Sequence, residues 1–148
     1  MVPERPRRYT SSNMEDAIER YPTAAARQSL ARRLRLPYSD LMHDWEWEVA
    51  DAARFREFVE LYRSGSLSED EMFSLMEILI QCIENMLEDP PDEFAADPAW
   101  RTLRPLLMER PDLHWCSMRY WARVGKAHSA DEFAMAPRMR ELLAGMDC

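Results

Sequence analysis

Apolar residues crowd the stretch Leu67 to Asp89, LSEDEMFSLMEILIQCIENMLED, on which the rest of the chain can be arranged. Met72, Phe73, Leu75, Met76, Ile78, Leu79, Ile80, Cys82, Ile83, Met86 and Leu87 occupy most positions. They leave a narrow polar stripe of Ser74, Glu77, Gln81, Glu84 or Asn85, and Glu88, spaced every three or four residues. That period is helical, and a helix apolar over most of its girth has to be covered on several sides. Ser68 and Glu71 have the spacing of a capping box, and Glu69 and Asp70 suit the positive end of the helix dipole. The pattern predicts a central buried helix over roughly 69–87. Its longest uninterrupted apolar run, Ile78-Leu79-Ile80, falls far short of the roughly 20 residues a membrane span needs.

The same period, punctuated by capping residues and prolines, recurs on both sides. Ser12 and Glu15 open a short helix that Pro22 ends, and Thr23 caps a second one through about Leu34, with Ala26, Leu30 and Leu34 inward. Asp51 caps a helix to about Arg63 whose buried stripe is Phe55, Phe58, Val59 and Tyr62, stopped at Ser64-Gly65-Ser66. Glu88 to Asp97 reads as an acidic loop, and Asp97-Pro98 as the start of a helix bent at Pro105. Pro111-Asp112 starts another helix, ended by Gly125. Ser129 and Glu132 open a last one, divided at Pro137 and closed by Gly145.

One segment resists this scheme. In Leu41 to Asp51, Trp45, Trp47 and Val49 alternate with Glu46 and Glu48, the period of a strand, although no partner strand is evident nearby. Trp45 and Val49 are also spaced for a helix face, so the period leaves both open, and the preferred expectation is an extended or irregular segment docked on the helices.

The whole is therefore all-α: an irregular bundle or short α-solenoid of about six to seven helices around the central one, in a single domain over 12–148. Residues 1–11, with two prolines and several arginines, read as a mobile basic tail. Scarce glycine, three residues in 148, agrees with a helical composition.

Charge sharpens the picture. The formal net charge of −8 divides into +4 over residues 1–36, −14 over 37–98 and +2 over 99–148. An acidic middle disfavours nucleic acid and favours a basic protein partner, set against the plainer explanation of solubilising charge. Three widely spaced cysteines, Cys82, Cys116 and Cys148, and the lack of an apolar leader core suggest reduced thiols and a cytoplasmic location.

Candidate chemistry is sparse. His43, His114 and His128 stand apart, and neither a His-Glu-x-x-His nor a Cys-x-x-Cys unit occurs, so no metal or cofactor is expected. His43 with Asp44, Glu46 and Glu48 is a weak ligand set, and His114 with Cys116 a weak catalytic pair beside a satisfied core histidine. Trp115, Tyr120 and Trp121 with Arg119 and Arg123 have the makings of a stacking surface, but core packing explains them more simply. The remaining candidate is Asp44, Trp45, Glu46, Trp47 and Glu48, where flat anchors ringed by negative charge would suit a partner's surface.

The cadence of Asp44-Trp45-Glu46-Trp47-Glu48-Val49-Ala50-Asp51, with Phe73 to Gln81 and the pair Tyr120-Trp121, resembles a group of small, mostly uncharacterised bacterial helical proteins over about Pro37 to Arg140. In size and helical character the chain also looks like bacterial toxin-immunity proteins. The acidic middle and the absence of catalytic motifs, with that likeness beside them, lead to the expectation of a non-enzymatic protein-binding module, of immunity or inhibitor type, that neutralises a basic partner such as a toxin. Two other expectations stand beside it. One is a small ligand-binding protein or enzyme with a pocket using His43, His114 or the tryptophans. The other is a structural or regulatory homo-oligomer such as a dimer.

Overall fold

Seven α-helices account for most of the computed structural model, which describes residues 20–88, 93–125 and 132–146, the side chains at 93 and 94 excepted. Among these residues 75% are helical and none is in a strand. Helix α1 (Ala24–Leu34) starts where the Thr23 hydroxyl accepts from the Ala26 amide at 3.2 Å. It ends where Arg35 takes a left-handed conformation (φ 54°) and returns its amide to the Ala31 carbonyl. Asp51 accepts from the Ala53 amide at 3.0 Å and opens a 3-10 turn (Ala52–Arg54) that leads into α3 (Phe55–Arg63). After Gly65, at φ 75°, comes the long helix α4 (Glu69–Glu88). Its capping box is complete. Ser68 Oγ accepts from the Glu71 amide and Glu71 Oε1 from the Ser68 amide, both at 3.1 Å. The chain continues through α5 (Glu93–Glu109), α6 (Pro111–Ala122) and α7 (Ala136–Met146).

Three expectations are corrected. Residues 41–51 are not extended, because Trp45–Val49 forms a short helix, α2, in which the amides of Trp47 and Glu48 both donate to the Asp44 carbonyl at 3.0 Å. With no strand beside it, the segment satisfies its backbone locally, and Trp45 and Val49, four apart, both turn into the core. The helix expected from Pro98 already begins at Glu93 and runs unbroken past Pro98 and Pro105. Ala96, Ala99, Leu103, Leu106 and Leu107 are all buried along it, so the packing of that face outweighs the backbone bonds the two prolines remove. The last helix is not split at Pro137, which sits in the first turn of α7, where its missing amide is not needed, and Gly145 lies inside it. The tail, the Ser12–Glu15 box, His128, Ser129 and Cys148 lie outside the described residues.

Helix α4 is the axis. Leu75, Met76, Ile78, Leu79, Ile80, Cys82 and Ile83 are fully enclosed. Helices α1, α2, α3, α5 and α6 all pack against α4, and α7 packs on α6. A solenoid repeat touches only its neighbours along the chain. Here α1 and α6, far apart in sequence, share one central helix, so the architecture is an irregular bundle. No helix among the described residues is long and apolar enough to cross a membrane.

Candidate binding cleft

Five helices cover the apolar girth of α4, and the polar stripe is what they leave. It is not a freely solvated face, for Ser74, Gln81 and Glu84 are buried and Glu77 half-buried, and only Glu88 is exposed. Glu77, Gln81, Glu84 and Glu88 line a cleft of about 1220 Å³. Helix α6 supplies one wall with Trp115, Cys116, Ser117, Arg119, Tyr120 and Trp121, extended by Arg123, Val124 and Phe133. Arg27 of α1 and His43, Asp44, Glu46 and Trp47 around α2 form the opposite side, with Arg20 and Tyr21 nearby.

At the floor, Glu77 accepts hydrogen bonds from the Ser117 hydroxyl and, at 3.0 Å, from the Trp121 indole. Burial pushes its carboxyl upward, the two hydrogen bonds oppose this, and the neighbouring Glu46 pushes it further up. Among the described residues no basic side chain lowers it. About two turns along, Glu84 accepts from the amides of Ala134 and Met135, at 2.6 and 3.0 Å, just ahead of α7. Burial raises Glu84 to about 7 against those amide bonds, and Glu88 raises it further. Between the two, Gln81 donates to Asn85 at 2.9 Å.

The cations of the cleft are held away from this floor. Arg27 grips Glu46 with two nitrogens, at 2.6 and 2.8 Å, and donates to the His43 carbonyl at 3.2 Å. Arg20 pairs with Asp70 at 2.7 Å. The Arg119 guanidinium lies 5.9 Å from the Trp115 ring centre and that of Arg123 5.7 Å from Phe133. Arg123 Nε is buried without a hydrogen-bond partner. Tyr120, Trp121 and Phe133 form an aromatic cluster with centroids 4.6 to 5.8 Å apart.

The residues singled out in the sequence are divided. Trp45 is fully buried, donates to the Pro37 carbonyl at 2.7 Å and meets Tyr38 edge-on, so it belongs to the core. Glu46 is buried in its pair with Arg27. Trp47 is 62% exposed and stands at the cleft with Asp44, whereas exposed Glu48 does not line it. His43 lies at the cleft, but His114 does not line it and is enclosed in the core, with Nε2 2.6 Å from the Tyr62 hydroxyl. Burial holds His114 down at about 3, and its Nδ1 has no partner. His114 and Cys116 therefore do not share a pocket. Among the described residues no group of His, Cys, Asp and Glu is arranged to hold a metal ion.

Sequence reasoning overlooked Glu77 and Glu84 as site residues. Their signal was present as the polar stripe, which reads as a solvated edge until the neighbouring helices are placed. Trp115 and Trp121 turn out both buried and cleft-lining, so packing and a binding wall are not alternatives for them. Comparison with family models, with curated proteins and with solved structures returns no match.

Proposed function

We propose that this protein is a non-enzymatic binding module whose cleft receives a protein partner. The observation that carries the reading is the placement of exposed apolar groups. Tyr21, Trp47, Tyr120 and Val124, four of the six large hydrophobic residues exposed among the described ones, line this single cleft. Scattered exposed hydrophobics are ordinary, but aromatic residues gathered around a polar-floored concavity have the composition of a binding hot spot. The acidic middle of the chain, net −14 over residues 37–98, favours a basic partner. An immunity or inhibitor role against a basic toxin is the form of this reading we favour. A reducing cytoplasm suits the buried thiol of Cys82.

The test is partner capture with lip variants. Trp47→Ala and Tyr120→Ala should each weaken capture by about tenfold or more. Because both side chains are exposed, folding stability should change by no more than about 0.5 kcal/mol. Association should slow as salt rises. Capture unaffected by the double variant would sink the reading.

A second reading, a small-ligand pocket, draws on the half-buried Glu77 beneath the tryptophans. Saturable binding of a small molecule that quenches indole fluorescence without any protein partner would favour it.

A further inference from the structure

Resting on the binding-module reading, one feature of the cleft specifies what the partner inserts. Glu77 is a half-buried carboxyl group at the cleft floor whose two bonds come from neutral donors, Ser117 and Trp121. Withdrawal from water penalises an unpaired charge, and no cation among the described residues pairs with this one. The arginines around it are engaged elsewhere, Arg27 on Glu46 and Arg20 on Asp70, while Arg119 and Arg123 lie against aromatic rings. The nearest charges acting on the floor are carboxylates, Glu46 on Glu77 and Glu88 on Glu84, so an anion would meet repulsion there.

We propose that the cleft floor is a slot for a cationic side chain, the guanidinium or ammonium of a basic segment of the protein partner, with Glu77 as its counter-ion and Trp47 at its entrance. Each Glu77 oxygen retains a lone pair beyond its bond to Ser117 or Trp121, so it can accept from an incoming N–H without losing either. The Arg119–Trp115 contact shows that the walls of this cleft already accommodate a guanidinium against an indole. Seating a cation would also draw Glu77 toward its ionised form and release the proton that burial favours.

The experiment titrates the whole chain with a hexa-arginine peptide, followed by tryptophan fluorescence and by calorimetry in two buffers of different ionisation enthalpy. Wild type should bind, with protons released at the acid end of a pH series and fewer as Glu77 ionises, and a hexa-glutamate peptide should not bind. Glu77→Gln should weaken hexa-arginine binding at least tenfold. Glu141→Gln, which removes the same charge from the exposed face of α7, should leave it unchanged. Equal losses in the two variants would reveal diffuse attraction in place of a slot and overturn the proposal, as would tight binding of hexa-glutamate. If free argininamide bound as well as the peptide, the assignment to a protein segment would fall. Should Glu77→Gln fold poorly, the wild type decides through proton release, whose absence overturns the proposal. Loss of natural partner capture in Trp47→Ala but not in Glu77→Gln would defeat the slot alone. Loss in neither would defeat the binding-module reading with it.

Discussion

Two tryptophans two residues apart have opposite fates. In a strand, Trp45 and Trp47 would share one face. In α2 they point in different directions, and Trp45 enters the core while Trp47 stays 62% exposed. Trp45→Ala should therefore cost about 3–5 kcal/mol in urea denaturation, the range for deleting a buried large aromatic. The Tyr62–His114 pair is a second contact decided by individual atoms. Tyr62 and His114 lie 52 positions apart in sequence and meet inside the core, with Nδ1 of the imidazole already unpartnered. Removing the hydroxyl leaves the second ring nitrogen unpaired as well, so Tyr62→Phe should lose about 1–3 kcal/mol, measured in the same way. The helical spacing of Tyr62 showed that it turns inward. That it meets a histidine depends on how α3 and α6 lie across α4.

Among the elements, α4 carries the fold and α7 depends on it through one carboxylate. Leu79→Ala should destabilise by about 2–5 kcal/mol, because Leu79 is enclosed and a cavity would remain. A loss below about 1 kcal/mol would mean that α4 is not the axis of the core. The start of α7 has a different support. Glu84 accepts from two successive amides, Ala134 and Met135, and so holds the entry to α7 against the C-terminal part of α4. Glu84→Ala should speed amide hydrogen exchange at Ala134, Met135 and the first turn of α7 before any other helix, with a stability loss of about 1–3 kcal/mol. Unchanged exchange there would show that packing of α7 on α6 suffices. Element boundaries were well marked where a side chain caps its own turn, as at Thr23, Asp51 and Ser68. They were misjudged at Pro98, because a proline signals a local preference and the burial of Ala96 ahead of it is a non-local gain.

For the whole molecule, two buried titratable groups give the stability a defined dependence on pH. His114 is held at about 3 in the fold, against an ordinary 6.5. As pH falls below 6.5 the unfolded chain takes up a proton that the folded chain refuses, so stability declines between 6.5 and 3, by up to about 1.4 kcal/mol per pH unit. Glu84 acts in the opposite sense. Raised to about 7 from an ordinary 4.5, it keeps a proton in the fold that the unfolded chain releases, so its contribution declines as pH rises through that window. The two slopes oppose each other between 4.5 and 6.5; below 4.5 the histidine slope persists, joined by Glu71 and Asp112, whose carboxyls the fold holds low. Urea midpoints measured from acid to neutral pH should accordingly show a shallow region followed by a steep acid fall. His114→Gln should flatten that fall, and an unaltered acid slope in the variant would remove His114 as its origin.

The sequence by itself determined the helical class, the identity of the central helix and most of its enclosed residues. It could do so because helical period, capping boxes and apolar girth are properties of residues within a turn or two of one another. The tertiary structure alone decided that the segment at Trp45 is helical, that Glu46 is bound to Arg27, and that His43 and His114 lie in separate places. It also decided the meaning of the stripe Glu77, Gln81, Glu84 and Glu88. A polar face on a helix is the same string of letters whether it meets water or the floor of a cleft. Only the positions of α1, α2 and α6 around α4 enclose it, and those positions follow from packing between residues 30 to 50 apart, which no local period records.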